Sequence, residues 1–299
     1  MMKKTVNTPE NTVVQRKKRS QIAEIWKRLR KNKGAVIGMC VILLIILIAV
    51  SSNVIFDYET DVIGQNVKER LQTPSLAHPF GTDDLGRDLM ARVCYGAQYS
   101  LSIGFVAVVV SLLIGVTLGS IAGFYGGMVD NIIMRIADIF ISLPSIMLSM
   151  AIIAVWGQSM FHLMVAVGIC SAAAFTRVAR ASVMTERSRD YVESARAIGA
   201  TNFQIIFTHV LPNSLAPIIV QATMRVASAI VSASSLSFLG LGVPVPKPEW
   251  GTMLSASRRF LRDYSYMTLF PGLAIMVTVL AFNLFGDGLR DSIDPKLKR

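Results

Sequence analysis

Charge, cysteine and histidine are all scarce in this chain of 299 residues. Only 16% of the residues are charged, and there are three cysteines and three histidines. Cys40 and Cys170 lie inside apolar stretches and Cys94 at the start of another, so they read as small apolar fillers and no disulfide framework is implied. His78, His162 and His209 are far apart and never form a His-Glu-x-x-His pair. Fifteen methionines, among them Met147, Met150, Met160 and Met164, have no Cys or His at ligand spacing and read as flexible packing, which leaves no metal site. No Gly-Lys dipeptide occurs, so the chain has no phosphate-binding P-loop and is no nucleotide-driven motor by itself.

What is abundant is apolar sequence. Hydrophobic residues make up 53% of the chain and gather in blocks, without the spaced stripes of a soluble amphipathic helix. Gly34–Ile55 and Ser100–Ala122 carry no charge over lengths that cross a hydrocarbon core of about 30 Å. Ile132–Trp156, Met160–Thr176, Leu215–Leu239 and Tyr266–Phe285 bring the expected spans to about six. Lipid offers peptide groups no hydrogen-bond partner and no alternating barrel pattern is present, so the spans are expected to be helices of an all-α, polytopic membrane protein. The chain divides into a basic tail (1–33), the first span (34–55), a loop (56–99), a transmembrane core (100–285) and a short tail (286–299).

The net charge of +11 is distributed unevenly. The tail before the first span holds eleven Lys and Arg, including Arg16-Lys-Lys-Arg19, against two acids; the loop 51–99 holds four against seven. The positive-inside bias makes the tail cytoplasmic, and six spans return Lys296-Leu-Lys-Arg299 to the same side. The excess charge is explained by juxtamembrane attraction to anionic lipid, and no nucleic-acid partner is expected. Ala49-Val-Ser51 resembles a signal-peptidase site, yet its basic region and apolar run are too long for a leader, so retention as a span is favoured.

Between the fourth and fifth spans lies a polar interlude, Asp190-Tyr-Val-Glu-Ser-Ala-Arg-Ala-Ile-Gly199-Ala-Thr201-Asn-Phe-Gln204, running on to Leu211-Pro212. Asp190 is expected to cap a helix whose third position is Glu193, and Gly199 to stop it in the left-handed conformation. Thr201 and Gln204 then open a second helix as a capping box, which Pro212 is expected to close. Ala195, Ala197 and Gly199 would leave a low surface open to close approach by another protein.

Inside the spans, Ala107, Ser111, Gly115, Gly119 and Gly123 recur every four residues, the pattern by which helix backbones meet closely in lipid. Arg135 and Asp138 are expected to pair within one helix, with Pro144 two turns further in as a point of bending. Arg225 falls near the middle of the fifth span and shares a face with Ser228 and Ser232, which suggests a cavity-lining flank. The serines of that helix have no histidine at comparable depth, so an intramembrane enzyme lacks its nucleophile-base pair.

The interlude resembles the coupling segment of permease subunits of ATP-binding-cassette importers, whose pattern is Glu-Ala-Ala, three residues, Gly, nine residues, Ile, one residue, Leu-Pro. Glu193-Ser194-Ala195, Gly199 and Leu211-Pro212 keep that spacing, while Ser194 and His209 depart from its Ala and Ile. His78-Pro-Phe-Gly-Thr-Asp-Asp-Leu-Gly-Arg-Asp88 is similar to a run of the peptide and nickel branch of that family. Leu236-Ser-Phe-Leu-Gly-Leu-Gly242 with Pro248-Glu-Trp-Gly251, and Phe282-Asn-Leu-Phe-Gly-Asp-Gly-Leu-Arg-Asp291 with Asp294-Pro295, extend the likeness from the first span onward. The resemblance implies a type I importer permease fold in an inner membrane. It further implies a homologous second permease, two cytoplasmic ATPases that hold ATP and Mg, an extracytoplasmic binding protein, and a di- or oligopeptide substrate. Glu193, Ser194, Ala195, Arg196, Ala197, Gly199, Ala200, Leu211 and Pro212 would contact or position the ATPase, and Arg225, Ser228 and Ser232 the substrate path. Ala233 stands where many relatives carry Glu, so cation selectivity is left open, and nickel or metal-chelate import is the alternative. A passive channel is a third reading, and it gives the capped segment no purpose.

Overall fold

The computed structural model describes residues 21–293, and among these the chain is helical apart from connecting loops and one isolated bridge between Thr82 and Asp88. Asp294-Pro295, the basic run 16–19 and the closing basic residues lie outside the described residues. The order is α1 (Gln21–Leu29), α2 (Lys33–Ile55), α3 (Leu89–Tyr125), α4 (Gly127–Ser142), α5 (Ser145–Trp156), α6 (Met160–Arg187), α7 (Asp190–Ala197), α8 (Asn202–Gln204), α9 (Leu211–Leu236), α10 (Trp250–Ser257) and α11 (Tyr266–Ile293). Five helical stretches are long and apolar enough to cross a membrane, and a sixth arises if α4 and α5 count as one span.

Asn32 Nδ2 lies 3.5 Å from Asp291 Oδ2, which joins the start of α2 to the last turns of α11 at one end of the bundle. Segment 190–212 lies at that tail end, and the loops 56–88 and 242–265 cap the opposite, loop end. The core lies where α3, α6 and α9 meet, around Ile103, Leu163, Phe175, Ile230 and Leu236. Close approach there depends on small residues. A Cβ on Gly115 would stand 2.6 Å from the Ala172 carbonyl oxygen, and one on Gly119 2.5 Å from that of Thr176. Gly123 faces the Arg180 carbonyl oxygen in the same way, and the Ser111 hydroxyl donates to the Gly168 carbonyl at 2.8 Å. This stripe therefore lies against α6 of its own chain, where dispersion between backbones replaces a hydrophobic drive that lipid cannot supply.

Several expectations are corrected. The third span is not one helix: α4 and α5 meet at 93°. Pro144 disfavours the helical conformation at Leu143, which is extended at φ −93° and ψ 137°, and it offers no N–H to continue the ladder. Asp138 does not pair with Arg135; its carboxylate takes Arg177 of α6 at 2.6 Å. Arg180 likewise pairs with Asp130 of α4, so two ion pairs tie α4 to α6. The helix of the second span starts at Leu89, where Asp88 accepts from the Ala91 N–H, and that of the fourth continues to Arg187. Both exceed their apolar cores because they carry polar turns beyond them.

The loop end is held by the acidic run. Asp83 is buried and accepts from the Leu85 and Arg87 N–H groups and from Arg87 Nε at 2.6 Å, with Arg92 Nε at 3.6 Å. Tyr266 OH donates to the Thr82 carbonyl, and Phe80 stacks on Phe270 at 4.0 Å, so this loop is clamped to the start of α11.

Candidate functional site

Segment 190–212 is built as a wedge. Val192 and Ala195 of α7 turn inward onto Phe124 of α3, Val183 of α6 and Ile205, Ile206 and Val210, closing a small apolar core at the tail end. Gly199 has φ +86°, its N–H donates to Arg196 O, and Ala200 N–H donates to Ala195 O, each at 3.0 Å. That six-to-one and five-to-two pair is the Schellman stop, which a glycine adopts without Cβ strain. Thr201 and Gln204 form the reciprocal capping box expected of them.

Three local expectations fail. Asp190 is the first residue of α7 and not its cap; the cap position is Arg189, with no side-chain bond, and Asp190 and Glu193 instead place negative charge in the first turn, where the helix dipole favours it. Pro212 does not close the second helix. The chain passes from α8 through a wide turn at Ile205–Val210, in which Leu211 N–H bonds Ile206 O, directly into α9. A proline without an N–H is accommodated where the ladder already widens. Ala195 does not face outward; it is buried, and Ala200 is half-buried beside it.

The outward face comprises Glu193, Ser194, Arg196, Ala197 and Gly199, with Pro212 exposed and Leu211 half-buried at the start of α9. Nothing lies within 4 Å of a Cβ built on Gly199. Arg196 bends back so that its guanidinium stands 5.7 Å from the Phe124 ring. Tyr191 OH donates to Glu186 at 2.8 Å; partial burial first, and then that bond, hold its phenol above the usual range.

The segment also exposes residues that pattern reading passed over. Ile198 is 87% exposed, Phe203 68% and Phe207 52%, and the two rings lie 4.5 Å apart. Phe203 and Phe207, four apart in a polar stretch, were the available signal; the inward set Ile205, Ile206 and Val210 hid it by suggesting a single apolar face. Three large apolar groups are thus bared on a polar connection between the spans.

On α9, Val226, Ala229, Ile230 and Ala233 point into the core. The opposite flank holds Arg225 and Ser232, half-buried, and Ser228, exposed. Among the described residues Arg225 forms no ion pair. Of this polar strip only Ser228 is fully exposed within the chain.

At the loop end Glu249 caps α10, accepting from Gly251 N–H at 2.8 Å and Thr252 N–H at 2.9 Å, and Trp250 Nε1 donates to Val93 O. Burial pushes the Glu249 carboxyl above its ordinary range, against the opposing pull of those two N–H groups. Pro248-Glu-Trp-Gly251 thus locks α10 between α3 and α9; a Cβ on Gly251 would stand 2.6 Å from the Ser234 carbonyl oxygen.

A bundle of long apolar helices with small-residue packing, bearing a short polar helical connection at one end, defines a polytopic membrane protein. The chain belongs to the family of binding-protein-dependent transport system inner membrane components, whose model matches residues 115–299, and residues 20–74 match the N-terminal transmembrane domain of oligopeptide transport permease C. It is a multi-pass inner-membrane permease. It is 48% identical over 275 residues to a dipeptide transport system permease of Alkalihalophilus pseudofirmus, covering 92% of this chain and 90% of that one. Identity is 43% over 286 residues to a di/tripeptide transport system permease of Pseudomonas aeruginosa (93% of each chain) and 44% over 276 residues to a glutathione transport system permease of Pectobacterium atrosepticum (92% and 91%). The fold is similar to that of the inward-facing MetNI methionine ABC transporter, with a TM-score of 0.55 at 19% identity, over 68% of this chain and 97% of that one.

Proposed function

We propose that this permease forms half of the pathway of an ATP-driven importer of di- and oligopeptides, and that segment 190–212 transmits the motion of a separate ATPase. The observation that carries the coupling role is the apolar ridge Ile198, Phe203 and Phe207, presented on helices stopped by Gly199 and capped by Thr201. A short wedge clamped to Phe124 and Val183 moves as one piece with α3 and α6, so a push on it reaches the bundle. Glu193, Ser194, Arg196, Ala197 and Gly199 rim the docking face. Ala195, Ala200 and Leu211 shape it from behind, and Pro212 stands exposed at its edge.

The tail end is cytoplasmic in this reading, in line with its basic residues, and the loop end receives substrate from a binding protein. ATP and Mg belong to two ATPase subunits, and a homologous permease completes the path. Arg225, Ser228 and Ser232 line it; a guanidinium unpaired among the described residues suits a peptide carboxylate. The peptide substrate is favoured over nickel or a metal chelate by the transport systems for which the similar permeases are named.

Reconstituting the chain with its partner subunits in liposomes tests the proposal. A labelled dipeptide should accumulate only with the binding protein on the loop-end face and ATP on the tail-end face. Uptake of nickel without peptide uptake would contradict the substrate assignment.

A further inference from the structure

The start of the described chain carries a surface that the coupling wedge and the substrate path do not use. Helix α1 is joined to α2 by the turn Arg30-Lys31-Asn32, closed by Arg30 N–H to Trp26 O and Asn32 N–H to Leu29 O. Because α2 begins at Lys33 and then runs without charge to Ile55, the hydrocarbon boundary lies at Lys33 and Gly34. Helix α1, only three residues earlier, is thereby held at headgroup depth.

Its faces are sorted accordingly. Leu29 is buried and Ile25 half-buried, and α1 packs on α11. Trp26 stands at the edge of that stripe, 44% exposed, with the Arg30 guanidinium 5.5 Å from its ring. Lys27, Arg30, Lys31 and Lys33 are exposed and Arg28 half-buried, whereas Glu24 is the one acid between Gln21 and Lys33. An indole beside a cationic flank, at fixed depth, matches the ester and phosphate layer of a leaflet. Five cations in seven residues select negative headgroups over zwitterionic ones.

We infer that α1 and the turn after it form a docking surface for anionic phospholipid headgroups in the leaflet at the tail end of the bundle. The surface anchors the beginning of α2 and the end of α11 together, since Asn32 lies between α1 and Asp291. The inference rests on the permease reading only in placing the chain in a bilayer, and its readout requires no transport.

The test is quenching of Trp26 fluorescence, taken as the difference between wild-type protein and Trp26→Phe. Both are placed in phosphatidylcholine liposomes containing equal small fractions of brominated phosphatidylglycerol or brominated phosphatidylcholine. Brominated phosphatidylglycerol should quench several-fold more strongly, and the triple change Lys27→Gln, Arg30→Gln and Lys31→Gln should bring the two lipids to parity. If that variant fails to insert, raising the salt on the wild type applies the same test, because screening removes the preference of exposed cations. Equal quenching by the two lipids in the wild type, or a preference that survives both neutralisation and salt, overturns the inference.

Discussion

Ala200 N–H donates to the Ala195 carbonyl at 3.0 Å, and this bond exists because Gly199 between them turns left-handed at φ +86°. It fixes the angle at which α7 leaves the bundle and α8 begins. The docking ridge depends on it, since Ile198 precedes the turn and Phe203 and Phe207 follow.

Gly199→Ala should loosen the stop by about 1–2 kcal/mol, the cost of a left-handed Cβ, and reduce coupled uptake moderately. Gly199→Arg should abolish uptake while leaving the chain in the membrane, because a Cβ there meets nothing within the chain and the obstruction falls on the ATPase side. Membrane yield, ATPase copurification and uptake check this together; wild-type uptake by the arginine variant would contradict it.

Glu193 is exposed and makes no ion pair within the chain among the described residues, so Glu193→Ala should affect docking more than folding. Partial uncoupling is expected: ATP hydrolysis persists while uptake falls. Measuring substrate molecules moved per ATP hydrolysed separates this from a loss of assembly.

Gly119→Val should lower the amount of folded protein in the membrane. Its Cβ would stand 2.5 Å from the Thr176 carbonyl oxygen and 2.7 Å from the Ala179 Cβ, backbone and methyl contacts that cannot swing aside. Overpacking of this kind costs about 1–3 kcal/mol. A drop of several degrees in the unfolding midpoint of the purified chain is the expected reading, and an unchanged midpoint would show that α3 and α6 separate freely.

How far the sequence was legible depended on the range of the interaction. Gly199 and the Thr201–Gln204 box were readable because their bonds involve neighbours only, although the same local reading placed the N-cap of α7 one residue late, at Asp190 and not Arg189. Asp138 was mispaired because its partner, Arg177, lies 39 residues away on another helix and intrahelical spacing offered Arg135 as a nearer choice. Pro144 announced a bend and not its size, which the packing of α4 and α5 on α6 sets. Ala195, expected on the outer surface, is buried for the same reason. A helix this short carries its inward face wherever Phe124 and Val183 are found, and those residues belong to other helices.

Arg225 is expected to face water. A cysteine at 225, in a chain whose Cys40, Cys94 and Cys170 are replaced, should react with a small soluble thiol reagent, and substrate should slow the reaction. Arg225→Ala should slow uptake without loss of assembly, and Arg225→Lys should restore it in part, keeping the charge without the planar fork. Unreactivity in every nucleotide state, with normal uptake by the alanine variant, would show that the side chain packs or reaches to the interface.

The claim that segment 190–212 receives the ATPase is tested most directly at Ile198, the most exposed large apolar residue of the wedge. In the same cysteine-replaced chain, Ile198→Cys should label rapidly with a membrane-impermeant maleimide when the permease is purified alone. Labelling should fall at least about tenfold when the ATPase subunits are bound, as expected for a group at the centre of a dry interface. Equal labelling in the two states, with the ATPases demonstrably present, would contradict the account.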